Sequence, residues 1–416
     1  MGNSSPINAG DTAFVLVGAA LVLLMTPGLA LFYGGMVRRK NILSILMQCF
    51  ILMCLVGVQW ILLGYSLAFG PDIGHFVGSL SWVGLHNVGF TPNPDYAATI
   101  PQQAFMIFQA MFAIITPALF IGAFAERIKF SGFFVFVLLW AIFVYDPVAH
   151  WVWGAGGWLR NLGALDFAGG TVVHINAGIA ALAVCLLIGK RKGYGKMPII
   201  PHNLPFTVLG TGLLWFGWFG FNAASALAAN EVAVNAFVAT NTATAAAGLT
   251  WAMIEWIFKG KPTMLGTASG AVAGLVAITP ACGFVGPLSA ILIGIGAGSF
   301  CYLAVMKVKA MFGYDDSLDV FGVHCIGGIW GALATGLFAQ KVINAAGNNG
   351  LFFGNPKQFL IQCAGVGATL GYSLVLSIIF YFIIDKTIGM RVEERDEEEG
   401  LDLSQHNESA YGGESE

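Results

Sequence analysis

Eleven apolar runs set the frame for this chain. They lie at about 12–36, 42–69, 101–125, 132–150, 168–189, 206–228, 237–258, 264–282, 287–306, 322–340 and 357–384. An α-helix of about 20 apolar residues crosses the hydrocarbon core of a bilayer. Composition closes off a soluble alternative. With 57% hydrophobic and 10% charged residues, a domain of 416 residues cannot bury that much apolar surface within itself. The 55 glycines suit helices that pack at close range in lipid. The chain reads as an all-α integral membrane protein with eleven transmembrane helices. Its seven cysteines all lie in or beside the apolar runs, with no C-x-x-C, and read as packing residues rather than a metal or disulfide framework.

An odd number of crossings puts the two chain ends on opposite sides. Arg38, Arg39 and Lys40 follow the first run, so the positive-inside rule makes that loop cytoplasmic. The alternation then carries Arg127, Lys129, Lys190–Lys192, Lys196, Lys259, Lys261, Lys307, Lys309, Lys386, Arg391 and Arg395 to the same side. Of the 19 basic residues, only Arg160, Lys341 and Lys357 fall outside. The expected protein is multi-pass in the cell membrane, with its N-terminus outside and its C-terminus cytoplasmic. Glu126, Arg127 and Glu255 near the cytoplasmic ends read as ion-paired anchors.

The fifth and tenth runs open alike. Asp166–Gly178 is DFAGGTVVHINAG and Asp316–Gly328 is DSLDVFGVHCIGG. Each is an acid, seven residues, a histidine, three residues, a glycine. A histidine inside an apolar span is costly and usually faces a cavity or a partner. Two at matching places, His174 and His324, suggest one site assembled from two related halves. Helices 1–5 and 6–10 are then five-helix halves, and an odd count per half makes the repeat inverted. Helix 11 is an addition. The competing reading is two unrelated buried rings, each satisfied by a helix carbonyl. No metal is expected, because two ligands leave the remaining positions of a site empty. A neutral imidazole pair can share one N–H···N bond and turn its other nitrogens to a small amine.

After Asp385 the composition turns acidic, VEERDEEEGLDLSQHNESAYGGESE. Residues 1–384 read as the membrane domain. Residues 385–416 read as an acidic cytoplasmic tail, disordered or ordered only conditionally. The outer stretch 70–100, rich in Gly and Pro and carrying Trp82, is expected to form an ordered lid or rim. NSS at Asn3 and NES at Asn407 read as chance matches to a glycosylation acceptor.

Nearly the whole chain resembles the ammonium transporter family, the Amt, Mep and Rh proteins, and most closely the bacterial and archaeal Amt type. The matching stretches are TPGLALFYGGMVRRKN, FQAMFAIITPALFIGAFAERIKFS, HWVWGAGGWLRNLGALDFAGGTVVHINAG, WFGWFGFNAASA and DDSLDVFGVHCIGGIWG, with TIGMRVEERDEEEGLD in the tail. The resemblance implies a homotrimer in the lipid bilayer, with a narrow pore in each subunit. It implies transport of ammonium or ammonia, with methylammonium as an analogue. It also implies a regulatory tail and a PII-type signal protein that docks at the cytoplasmic face. No enzyme activity, cofactor or nucleic-acid partner is expected.

By the same resemblance His174 and His324 are the twin pore histidines, with Trp218 beside the pore. Phe112 and Phe221 are the stacked gate. Phe108, Phe112, Trp153, Ser225 and Asp166 form the outer recruitment site. Such a cage suits a small cation, through cation–π attraction and a hydroxyl that accepts N–H. Asp166 carries two readings, a counter-charge for ammonium and an N-cap for helix 5. Asp316 reads as structural. Two departures from the enterobacterial pattern stand out: Ala224 where Gly is common, and one extra residue between Trp153 and Asp166. Two other functions fit the same family, an ammonium sensor that conducts little and a neutral gas channel of the Rh sort.

Overall fold

The computed structural model describes residues 7–412, so Asn3 lies outside it. Among the described residues ten long apolar helices and one shorter one run in chain order: α1 (Ala9–Met36), α2 (Arg39–Phe69), α3 (Gln102–Ala123), α4 (Phe130–Leu162), α5 (Gly170–Ile188), α6 (Leu204–Ala226), α7 (Glu231–Lys259), α8 (Met264–Ile278), α9 (Pro287–Phe312), α10 (Phe321–Phe338) and α11 (Pro356–Thr387). Among the described residues, ten have the length and composition to cross a membrane. The eighth, α8, is shorter than its apolar run suggested, at 15 residues. Thr263 caps its start beside Glu255. Its far end bends at Pro280 and meets Phe167, at the opposite end of the molecule.

Small residues set the helix spacing. Along the seam between α1 and α6, a Cβ added at Gly18 would fall 2.3 Å from the Ala224 Cβ. The methyl of Ala224 is therefore accommodated because its neighbour on α1 is glycine. Large apolar side chains such as Leu16, Phe50, Leu62, Phe216, Ile257 and Phe382 point outward. In water such a surface would aggregate, and in lipid it is solvated.

Among the described residues five of the helices contain a π-turn, and four of these turns fall in pairs along the chain. Ala141–Tyr145 in α4 is matched by Ala304–Val308 in α9. Gly170–Ile175 in α5 is matched by Phe321–Cys325 in α10. A fifth, Trp60–Gly64, lies in α2. The last pair holds both histidines of the repeated motif, and π-turns recur where a helix must re-aim a functional side chain.

The basic loops converge at one end. Arg38 pairs with Glu126 at 2.8 Å and Arg191 reaches the same carboxylate at 3.4 Å. Arg191 also grips Asp315 through Nε and Nη2, at 2.9 and 2.7 Å. Burial pushes the Asp315 carboxyl up, but the bonds and charge of Arg191 outweigh it and hold the group below the usual carboxylate range. Glu255 is anchored by Lys259 at 3.2 Å and the Thr263 N–H at 2.9 Å. Arg127 differs from its expected ion-paired state. It donates to the carbonyls of Ala123, Ala125, Gly189 and Asp315 and to the Ser317 hydroxyl. Carbonyls at helix C-terminal ends carry partial negative charge, which satisfies a guanidinium without a carboxylate.

The tail is ordered on this end through the described residues, so of the two readings its composition allowed, conditional order is the one that fits. It forms α12 (Glu394–Glu399) and α13 (Leu401–His406). Buried Glu397 accepts the Lys192 backbone N–H and a bond from Arg391 at 2.8 Å. Arg391 also donates to the carbonyls of Ile188 and Lys190, at 2.8 and 2.7 Å. Asp402 takes the Ser44 N–H at 2.8 Å, and Leu401 is fully buried. Tyr411 lies under Arg39 at 4.9 Å and meets His202 at 3.0 Å. Composition counts charge without partners; here the acids find basic loops already held in place.

At the other end the stretch 70–100 is ordered, as a rim. It contains the hairpin β1 (Asp72–Ile73) and β2 (Val77–Gly78), antiparallel with Asp72 opposite Gly78. Trp82 stacks on Tyr65 at 5.6 Å.

Candidate transport site

A cavity of about 400 Å³ opens at the end away from the tail. Phe112, Trp153, Asp166 and Ser225 line it, together with Gln109 and Tyr96. The Trp153 indole donates to the Asp166 carbonyl at 2.8 Å, which fixes the ring plane. The Ser225 hydroxyl donates to the Phe221 carbonyl at 2.8 Å. Its oxygen therefore keeps lone pairs to accept an N–H. Phe108 is fully buried and does not line the cavity; its ring stands edge-on to Phe112 at 5.0 Å and supports it.

The floor of the cavity is Phe112. Beneath it Phe221 lies 4.3 Å away, centroid to centroid, and is fully buried. From Phe221 the next ring is His174, at 6.1 Å. Trp218 lies face-on to His174 at 5.4 Å, with its indole N–H bonded to Thr279 Oγ1 at 2.9 Å.

The two histidine rings lie 5.4 Å apart with 17° between their planes. Both are buried. Neither nitrogen of His174, nor Nδ1 of His324, has a hydrogen-bond partner among the described residues. The carbonyl-satisfied alternative therefore does not describe His174. The N–H···N bond expected between the rings is also not formed. Backbone approach sets their spacing. A Cβ at Gly178 would fall 2.4 Å from the Cys325 nitrogen, and one at Gly328 would fall 3.1 Å from the His174 Cβ. Each motif's glycine thus receives the other motif's histidine-bearing turn, and the resulting distance leaves the ring edges out of bonding reach.

The two acids of the repeated motif behave differently. Asp166 collects the N–H groups of Gly169, Gly170, Thr171 and Val172, at 2.8, 2.6, 2.8 and 3.1 Å. Gly169, at φ +118°, lets the chain turn back to do so. The capping role expected of Asp166 is thus met, and the residue also lines the cavity. Asp316 takes only the Phe321 N–H, at 2.7 Å, and its Oδ1 has no partner among the described residues.

Two polar residues were not singled out from the sequence. Gln109 lines the cavity with its Oε1 unpartnered among the described residues, and Thr279 holds Trp218. A polar residue three positions before Phe112 on an apolar helix was the available signal for Gln109. Nothing in the spacing marked Thr279, because its partner lies on another helix.

Residues 13–411 match the profile of the Ammonium Transporter Family. The ammonium transporter of Bacillus subtilis is 52% identical over 402 residues, covering 97% of this chain and 98% of that protein. The crystal structure of Saccharomyces cerevisiae Mep2 superposes with a TM-score of 0.88 at 37% identity, covering 93% of this chain and 88% of that one. A structure described as a sensor Amt protein reaches 0.87 at 28% identity, covering 95% of this chain and 98% of that one. The fold, the multi-pass membrane architecture and these likenesses agree: the chain belongs to the ammonium transporter family, whose members are membrane transport proteins rather than enzymes.

Proposed function

We propose that the chain takes up ammonium in the outer vestibule, releases its proton near Phe112 and Phe221, and passes ammonia along His174 and His324. The observation that carries this reading is a continuous file of rings. Trp153 to Phe112 is 5.9 Å, Phe112 to Phe221 is 4.3 Å, Phe221 to His174 is 6.1 Å, and His174 to His324 is 5.4 Å. The upper rings offer π-faces to a cation, Ser225 offers an acceptor, and the Asp166 carboxylate favours positive charge nearby. The lower rings offer nitrogens without partners of their own.

The logic is selective. A bare ammonium ion in a dry pore loses several kcal/mol of hydration, and potassium loses a similar amount. Only ammonium can give up a proton and cross as a neutral molecule. An imidazole pair can take and return a proton without holding a fixed charge.

The N-terminus is placed outside and the C-terminus in the cytoplasm. This is supported by the basic loops that gather around the tail. The paired π-turns support two inverted five-helix halves. By family likeness the assembly is a homotrimer, residues 385–416 act as a regulatory tail, and a PII-type protein docks there. Likeness to a sensor protein and the docked tail favour one second reading, an ammonium sensor that conducts little. The aromatic vestibule favours cation capture over a neutral gas channel of the Rh sort.

Current under an ammonium gradient, measured on reconstituted protein, tests the proposal. The wild type should carry current, and replacing both His174 and His324 with leucine should abolish it. Replacing either histidine with glutamate should open a potassium leak, because a fixed carboxylate stabilises any monovalent cation. Wild-type current in the double variant, with potassium still excluded, would overturn the proton-handling role.

A further inference from the structure

His150 lies one turn before the end of the α4 segment that carries Trp153. It is fully buried, and both ring nitrogens have partners. Nδ1 is 3.0 Å from the Ala68 carbonyl, and Nε2 is 2.9 Å from Asp72 Oδ1. A carbonyl and a carboxylate only accept. A neutral imidazole carries one N–H, so satisfying both partners takes one more proton. Burial raises the Asp72 carboxyl, but the bond from His150, the His75 N–H and the charge of both imidazoles outweigh it and hold the group below its ordinary value. The pair of contacts therefore calls for one proton more than a neutral imidazole facing a bare carboxylate supplies. The Asp72 side chain is 21% exposed, which gives that proton a path to outside water.

The pair sits where it can move the vestibule wall. Gly154 N–H donates to the His150 carbonyl at 2.9 Å, and a Cβ on Gly154 would lie 2.5 Å from His150 Nδ1. A Cβ on Gly156 would lie 2.6 Å from the Asp72 Cβ. The hairpin holds the same turn from both sides. Trp151 Nε1 donates to the Phe76 carbonyl at 2.8 Å, Trp158 N–H to the His75 carbonyl at 3.2 Å, and His75 Nδ1 meets the Gly156 carbonyl at 2.7 Å. Trp153 stands in the middle of this clasped turn.

We propose that His150 and Asp72 form a proton-dependent clasp that positions Trp153 for capture of the cation. This rests on the recruitment role given to Trp153 above. His150 and Asp72 are positioning residues, since neither lines the cavity. Other titratable or charged groups around the turn are few. His75 shares Asp72, and Arg160 holds the Trp153 and Asp95 carbonyls. Tyr96 accepts the Ala155 N–H, and Tyr372 of α11 packs on Trp151. From α2 the contact is the Ala68 carbonyl. Where the pair lacks that proton, an imidazole lone pair faces the carboxylate or the carbonyl. The clasp then repels itself and the Trp153 turn loosens.

The test is uptake of methylammonium by reconstituted full-length protein, read as half-saturation and saturated flux. Uptake is compared at about pH 6 and about pH 8, on either side of neutrality. In the wild type, half-saturation should rise about fivefold across it while saturated flux holds, as expected when a charge-assisted bond is lost. Asp72→Asn can bond a neutral ring through its amide, so its half-saturation should stay flat. Asp72→Ala should be weaker at both pH values. A wild-type pH profile in Asp72→Asn would overturn the clasp. Trp153→Leu, run alongside, separates the two ideas. If it weakens capture while Asp72→Asn behaves as wild type, the clasp alone falls. If it changes nothing, the recruitment role falls and the clasp with it.

Discussion

Trp153 is held at three points: its indole by the Asp166 carbonyl, its carbonyl by Arg160, and its turn by the hairpin. A ring fixed this way presents its face to the cavity at low entropic cost. On the proposed recruitment role, removing it would delete a cation–π contact worth roughly 0.5–2 kcal/mol, so Trp153→Leu should raise half-saturation for methylammonium by about 2- to 30-fold. Saturated flux should change little, because the lower rings are untouched. Unchanged half-saturation in the variant would remove Trp153 from the recruitment site. Residue-level reading from sequence was uneven here. His174 and His324 stood out because a titratable ring in an apolar span is rare. Phe112 and Phe221 did not stand out by chemistry among 33 phenylalanines, and only the family likeness marked them.

The motif's spacing makes sense at the level of the helix. In α5 and α10 the histidine sits inside a π-turn and the glycine follows one turn later. Each glycine meets backbone of the opposite helix, and backbone cannot swing aside as a side chain can. Gly178→Ala should therefore cost about 1–3 kcal/mol through overpacking and should also lower ammonium current, since it pushes the histidines apart. Gly371 on α11 has nothing within 4 Å of an added Cβ, so Gly371→Ala should stay within about 0.5 kcal/mol of wild type. Thermal unfolding in detergent compares the two. Equal stability would mean that the α5–α10 contact relaxes freely. The sequence showed that glycine recurs at this offset. Which backbone each glycine faces is a property of the helix crossing.

Across the whole molecule, the tail links loops that are far apart in the chain. Arg391 ties it to the end of α5, Glu397 to Lys192, Asp402 to the start of α2, and Tyr411 to Arg39 and His202. Most of the bundle's buried core lies within α1–α11, with Met390 of the tail joining it at one end. Deleting the residues after Thr387 should leave the folded protein, in the proposed homotrimer, intact by size-exclusion chromatography. On the proposed docking of a PII-type protein at the tail, the same deletion should abolish its capture. Full-strength capture by the truncated protein would refute that docking role.

The sequence by itself determined the solvent, the number of apolar runs, the clustering of positive charge and the repeated acid–histidine–glycine spacing. These follow from hydropathy and period, which are local properties of the chain. Tertiary structure decided four other matters. It made α8 a short helix, because the chain turns at Pro280 against Phe167. It gave Arg127 carbonyl partners instead of a carboxylate, because several helix ends meet at that one side chain. It kept the histidine rings out of bonding reach, because glycine-to-backbone contacts set their distance. It ordered an acidic tail, because its partners were already fixed by the bundle. Each depends on groups brought together from distant parts of the chain, which no period or composition records.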